Sequence, residues 1–144
     1  MILLDTNILV HATTRSSPRH AKAKGVCAQA LSGEIGGCVA LQNLCEWYGV
    51  VTDARRVSIP LSAEEATREM EGFLAPSRLM LLTLSPGVSR RLPNLLRRAK
   101  SHGPHVFDVL LVATMLEHGV DTIYTENTSD FSLFREIRAV NPFV

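Results

Sequence analysis

Acidic and amide side chains stand beside apolar runs at four places in the 144-residue chain. Asp5 and Asn7 follow the first run in "MILLDTN", and Glu46 lies within "LQNLCEWYGVV". Asp108 falls near the start of "HVFDVLLVATMLEHG", and Asn127 and Asp130 fall in "YTENTSDF". Asp108 poses the sharpest question, because Val106, Phe107, Val109, Leu110 and Leu111 surround it. An uncompensated buried carboxylate is costly, so proteins pair it, protonate it or bind a cation with it. Carboxylates meeting in one cleft raise each other's pKa values unless a cation joins them. Donors that are all oxygen select a hard ion, Mg2+ or Mn2+. Zinc is disfavoured, since the five histidines and three cysteines show no ligand spacing.

Each acid also has an ordinary alternative. Asp5-Thr6-Asn7 can form an Asx-type turn, although Asp5 also marks the carboxyl end of a strand, where open α/β sheets bind ligands. Asn7 is then placed to hold the Asp5 carboxylate through its amide. A helical Glu46 can simply face solvent, but apolar neighbours on several sides of the helical wheel make its face a boundary. Asp108 follows Pro104 by four residues, in a first helical turn where the macrodipole favours an acid by about 0.3–1 kcal/mol. Asn127 or Asp130 can form a turn or cap a helix. The constellation says more than any member: acids or amides at strand ends, and acids on helices that would pack beside them.

The elements that must position these groups alternate as in a βαβ chain, implying an α/β fold with a parallel sheet. "MILLD", "GGCVA", "RLMLLTL", "DTIYT" and a segment near "IRAVN" read as strands. Helices are expected from Ser17-Pro18, as N-cap and N1, through "RHAKAKGVCAQALS"; over "LQNLCEWYGVV"; and over "SAEEATREMEGFL", where Ser62 and Glu65 have capping-box spacing. A further helix starts at Ser85-Pro86 and should be broken or kinked at Pro93, and the Asp108 helix ends at Gly119. No repeat, low-complexity tract or linker divides the chain, so a single domain over residues 1–144 is expected.

With 46% hydrophobic and 20% charged residues, the chain can build a real core. No apolar run is long enough to span a membrane, and "MILLDTNILV" lacks the features of a signal peptide, so the sequence reads as mature from its first residue. Cys27, Cys38 and Cys45 suit reduced thiols in a cytoplasmic protein better than a disulfide framework. A net charge of +1 gives no global case for nucleic-acid binding. Arg55–Arg56, Arg90–Arg91, and Arg97–Arg98 with Lys100 are local clusters suited to phosphate or to a solvated helix face. The histidines His11, His102, His105 and His118 read as surface or capping residues.

"LLDTNILV", "NLCEWYGVV", "FDVLLVATMLEHG" and "IYTENTSDF", in this order and spacing, resemble the PIN domain, and within it the VapC-type toxins of toxin–antitoxin pairs. The resemblance spans nearly the whole chain. It implies a three-layer α/β/α fold with a central parallel sheet and Mg2+- or Mn2+-dependent endoribonuclease activity. By motif position it makes Asp5, Glu46 and Asp108 the core acids, with Asp5 and Asp108 as direct metal ligands. The fourth acid falls at the Asn127 or the Asp130 position, and only Asp130 is acidic here. Thr125 and Asn127 would then be polar support. The resemblance further implies a homodimer, an RNA substrate and a cognate antitoxin that blocks the metal site.

Two other functions compete. A catalytically silent RNA- or antitoxin-binding scaffold is favoured by Asn127 and opposed by the retained acids. A phosphoryl-transfer enzyme with Asp5 as nucleophile would normally carry a second Asp where Asn7 stands. The segment from Thr52 to Arg78 carries Met70, Phe73 and Leu74, which suit core, a dimer interface or an antitoxin groove.

Overall fold

The computed structural model describes residues 1–75 and 79–144. Five parallel strands form one sheet in the order β3-β2-β1-β4-β5. They are β1 (Ile2–Leu4), β2 (Gly37–Ala40), β3 (Met80–Leu82), β4 (Thr122–Tyr124) and β5 (Arg138–Val140). Six α-helices connect them: α1 (Thr6–Thr13), α2 (His20–Ser32), α3 (Leu41–Val51), α4 (Ala63–Leu74), α5 (Pro86–Ala99) and α6 (Val106–Glu117). Short 3-10 turns at Gly103–His105 and Thr128–Phe131 complete the framework.

Strands β1 and β2 are apolar throughout because both faces of a parallel sheet are covered. Successive residues supply opposite faces. Leu3, Cys38, Ala40 and Ile123 pack with Val88 and Leu95 of α5 and Val109, Val112 and Met115 of α6. Leu4 and Val39 pack with Ile8 and Leu9 of α1, Ala23 and Cys27 of α2, Trp47 of α3 and Phe73 of α4. Two helical layers thus enclose the sheet, the expected three-layer α/β/α arrangement. At Gly37 an added Cβ would stand 2.5 Å from Ala30 Cβ, so glycine lets α2 lie close on β2.

Several local expectations hold. Helix α3 has the expected bounds, and Ser62 and Glu65 form the reciprocal capping box of α4. Phe73 is buried edge-on to Trp47, with ring centroids 5.6 Å apart, and Met70 packs against the same core while Leu74 stays largely exposed. Arg78, at the end of the segment assigned to core or interface, lies outside the described residues. All three cysteines are free thiols. Burial pushes Cys27 and Cys38 up to about 11, leaving little reactive thiolate at neutral pH. No helix is long and apolar enough to cross a membrane among the described residues.

The structure corrects two expectations and adds a helix. Asp5-Thr6-Asn7, for which an Asx-type turn was the ordinary alternative, opens α1, a helix the sequence pattern did not reveal. The second helix begins at His20 rather than at Pro18. Ser17 instead organises the preceding turn, its Oγ accepting from the Arg19 amide at 3.1 Å and its carbonyl from the His20 amide at 3.0 Å. Pro93 does not break α5, which runs continuously from Pro86 to Ala99. Pro93 and Ser89 are both exposed, so the Ser89 carbonyl left without an amide partner can bond water. Replacing Pro93 with Ala restores that amide, and urea unfolding should show the Pro93→Ala variant to be more stable by about 1–3 kcal/mol. Unchanged or reduced stability would refute this account of α5.

Candidate active site

The sheet order reverses direction beside β1, where the chain leaves toward β2 on one side and β4 lies on the other. Ligand crevices in open α/β sheets form outside the strand ends at such a switch point. Asp5 and Thr125 follow β1 and β4 there, and the Asp5 amide extends the ladder by donating to the Tyr124 carbonyl at 3.0 Å.

Asp5 caps α1 and is held on both oxygens. Its Oδ1 accepts from the Thr6 amide at 2.7 Å and from Asn43 Nδ2 at 3.4 Å. Its Oδ2 accepts from Asn7 Nδ2 at 2.8 Å and from the fully buried Thr125 hydroxyl at 2.6 Å. Asn7 also joins the two strand ends, donating to Thr125 Oγ1 at 3.0 Å and accepting from the Glu126 amide at 3.1 Å. Burial is the largest influence on Asp5 and raises its pKa from the ordinary 3.8 to about 6. Hydrogen bonds from Thr125 and Thr6 oppose the rise, and the charges of Glu46 and Asp108 add to it.

Glu46 projects from the exposed side of α3, but it is not a free surface acid. Thr6 Oγ1 donates to its Oε2 at 2.9 Å and Gln42 Nε2 to its Oε1 at 2.9 Å. Gln42 reaches α6 as well, donating to the Phe107 carbonyl at 2.9 Å. Asp108 stands in the first turn of α6 as expected, and it is not enclosed by its apolar neighbours: its side chain keeps 34% of its accessible surface. Burial is the first cause of its raised pKa, with the charges of Asp130 and Glu46 adding and His105, at 3.3 Å from Oδ2, opposing. Asp130 is exposed in the Thr128–Phe131 turn and lines the same cavity as Asp108. The four acids singled out in the sequence therefore act on one another through space.

The amide and hydroxyl residues divide differently. Asn7 and Thr125 hold Asp5 directly, whereas Asn127 joins only through its backbone amide, which donates to Thr125 Oγ1 at 3.0 Å. Glu126 turns away to His11 Nε2 at 2.8 Å and Arg19 Nε at 3.4 Å. Asn43, Thr6 and Gln42 were not foreseen. Asn43 is fully buried, accepts from the Ala40 amide at 3.2 Å and donates to Thr6 Oγ1 at 3.2 Å. An asparagine in the first turn of a helix directly after a strand was the available signal. His118 stands at the C-cap position of α6, and its ring reaches the Thr83 carbonyl beyond β3 at 2.9 Å. Arg55, Arg91 and Arg98 are paired with Asp53, Glu117 and Glu136, which accounts for part of each cluster without phosphate.

Among the described residues, no three Asp, Glu, His or Cys side chains converge into a preformed coordination group. The donor set nevertheless fits a hard divalent ion, because every group is an oxygen and burial with like charge opposes ionisation of Asp5. Such ions are often held by one or two carboxylates and completed by water or substrate phosphate. On Asp5 Oδ1 the Thr6 amide holds one lone pair firmly, at 2.7 Å, while the long 3.4 Å contact from Asn43 leaves the other weakly engaged.

This is an open α/β domain whose acidic cleft lies at its topological switch point. Residues 2–137 match the PIN domain family. Ribonuclease VapC48 of Mycobacterium tuberculosis is 34% identical over 142 residues, covering 96% of this chain and 95% of that protein. The chain belongs to the PIN-domain family and groups within it with proteins named VapC ribonucleases. The fold is shared with Mycobacterium tuberculosis VapC20, a Sarcin-Ricin loop cleaving toxin, at a TM-score of 0.70 and 17% identity over 96% of this chain and 99% of that one. A toxin–antitoxin complex from Klebsiella pneumoniae matches at a TM-score of 0.66 and 23% identity, over 99% of this chain and 98% of that one.

The raised Asp5 pKa has a stability consequence. Between 3.8 and about 6 the folded protein holds a proton that the unfolded chain has released. Stability therefore falls as pH rises through that window, by about 3 kcal/mol in total from this group. Urea unfolding in EDTA at about pH 5 and about pH 7.5 should show a loss for the wild type that is smaller in Asp5→Asn. An equal loss in both proteins would refute burial as the dominant influence on Asp5.

Proposed function

We propose that the chain is a Mg2+- or Mn2+-dependent endoribonuclease and the toxin of a toxin–antitoxin pair. One observation carries this reading. The partly buried Asp5 carboxylate is fixed by four donors at the sheet's carboxyl edge and bears the charges of Glu46 and Asp108. The relationship to a named ribonuclease over almost the full chain points the same way.

Asp5 and Asp108 are assigned as the direct ligands. The ion they hold would supply Lewis acidity at the RNA phosphate and a lowered pKa for water. Thr6, Asn7, Asn43 and Thr125 fix the Asp5 carboxylate before substrate arrives, so orientation costs little during reaction. Glu46 is oriented by Thr6 and Gln42 and is assigned to accept a proton from the attacking water through one of its oxygens. Asp130, which lines one cavity with Asp108, is assigned to position water or the leaving side of the strand. Asn7, Thr125 and, through its backbone, Asn127 tie the β1 and β4 ends so that these groups keep their spacing. A homodimer and a cognate antitoxin that covers the cleft complete the proposal, in keeping with the toxin–antitoxin assembly that shares this fold.

The silent-scaffold alternative draws on Asn127, which offers an amide where a fourth acid can stand. Asp5 as a phosphoryl-accepting nucleophile is disfavoured, since such an enzyme would normally carry a second Asp where Asn7 stands.

Purified protein should cut a labelled structured-RNA pool with Mg2+ or Mn2+ and not in EDTA. Asp5→Asn and Asp108→Asn should each lower cleavage by about 100-fold or more while circular dichroism stays native. Equal activity in wild type and Asp5→Asn would identify a contaminating nuclease and sink the proposal. In calorimetry, absence of Mn2+ binding together with absence of cleavage would leave the scaffold.

A further inference from the structure

We propose that the cavity beside Asp108 and Asp130 is a nucleotide subsite, which seats one residue of the RNA next to the scissile phosphate. Its base would lie against Val109 and Phe134, and its phosphate on Lys100 and His102. The inference rests on the ribonuclease reading and extends it from the reacting acids to substrate recognition.

The cavity measures about 410 Å3, within the range of about 300–1,000 Å3 typical of small-molecule sites. Two stretches of chain wall it, Ala99–His102 after α5 and Ser129–Phe134 around the second 3-10 turn, and it opens onto Asp108 and Asp130. Val109 and Phe134 form the buried floor of the cavity, and Leu133 lines it with 65% of its surface exposed. A flat apolar base needs such walls, and stacking on them tolerates any sequence.

Both signs of charge line the cavity, with Asp108 and Asp130 supplying the acids. Lys100 and His102 line the cavity, and among the described residues neither pairs with a carboxylate, whereas Arg91 and Arg98 of the preceding helix do. A cation left unneutralised beside an acidic cleft suits a phosphate neighbouring the one being cut.

The backbone holds Lys100 there against its preference. Lys100 caps α5 in the left-handed conformation with φ +48°, the one non-glycine residue with positive φ among the described residues. Side chains disfavour that region, so a lysine kept in it points to a role for its head group. Ser101, next along the wall, has a hydroxyl shielded from solvent and without a hydrogen-bond partner. Buried polar atoms are normally satisfied, and a ribose or phosphate oxygen would satisfy this one.

Lys100→Gly is an informative substitution, because glycine accepts the same φ and only the cation is lost. Its melting temperature should equal or exceed that of the wild type. In cleavage assays KM for RNA should rise about tenfold, with most of the kcat/KM loss in KM, and Lys100→Arg should restore it. In EDTA, ribonucleoside monophosphates should shift NMR signals of residues 99–102 and 133–134 more than inorganic phosphate does. A wild type that cuts RNA beside an equally efficient Lys100→Gly would overturn the subsite while leaving the ribonuclease intact. Equal shifts from phosphate and nucleotides would also overturn it, reducing the cavity to an anion site. A wild type that cuts no RNA would defeat the ribonuclease reading and the subsite together, even where monophosphates bind here.

Discussion

The Asp5 carboxylate stands where an ionised acid is hardest to keep, at the buried junction of the two central strands. Four donors from three segments of chain meet it: Thr6 and Asn7 from α1, Asn43 from α3, and Thr125 after β4. They compensate burial only in part, and the carboxyl still titrates near 6. The surrounding architecture follows from that imbalance. Each donor must be delivered accurately, and the remaining penalty favours a cation that shares the charge.

Two helical layers deliver the neighbours independently. Trp47, Leu44 and Val51 anchor α3 to one face of the sheet, and the same helix carries Asn43 and Glu46 to the cleft. Val109, Val112 and Met115 anchor α6 to the other face, and its first turn carries Asp108. The layers meet across the sheet's carboxyl edge through Gln42, which spans from Glu46 to the Phe107 carbonyl. Close-packed cores fix the helix axes, and this single side chain links the two layers beside the acids.

What could be read from sequence was what is local. Ser62 and Glu65 lie three residues apart and announce their own capping box, while the apolar run of β1 announces burial on both faces. Helix α1 was hidden because Asp-Thr-Asn suits an Asx turn and a helix N-terminus alike, and the choice between them is made by Thr125, distant in sequence. Asn43 and Thr6 were missed for the same reason, since their side chains join the acids through contacts spanning 37 to 40 residues. Pro93 misled in the other direction. Its cost depends on whether the orphaned carbonyl meets water, and exposure is a tertiary property.

The loop after β4 shows how neighbouring polar residues divide their tasks. Glu126 is the acid nearest Thr125 in sequence, yet its carboxylate is engaged by His11 and Arg19, which lower its pKa. It therefore binds α1 to the start of α2 and is turned from the cleft. Asn127 places only its backbone amide on Thr125, and a neutral side chain there adds no further like charge beside Asp5. Asp130 is left as the acid of this loop whose charge reaches Asp108. An acid at position 127 as well would add repulsion to a carboxylate already raised in pKa by burial, so the amide is compatible with the proposed sharing of one ion by Asp5 and Asp108.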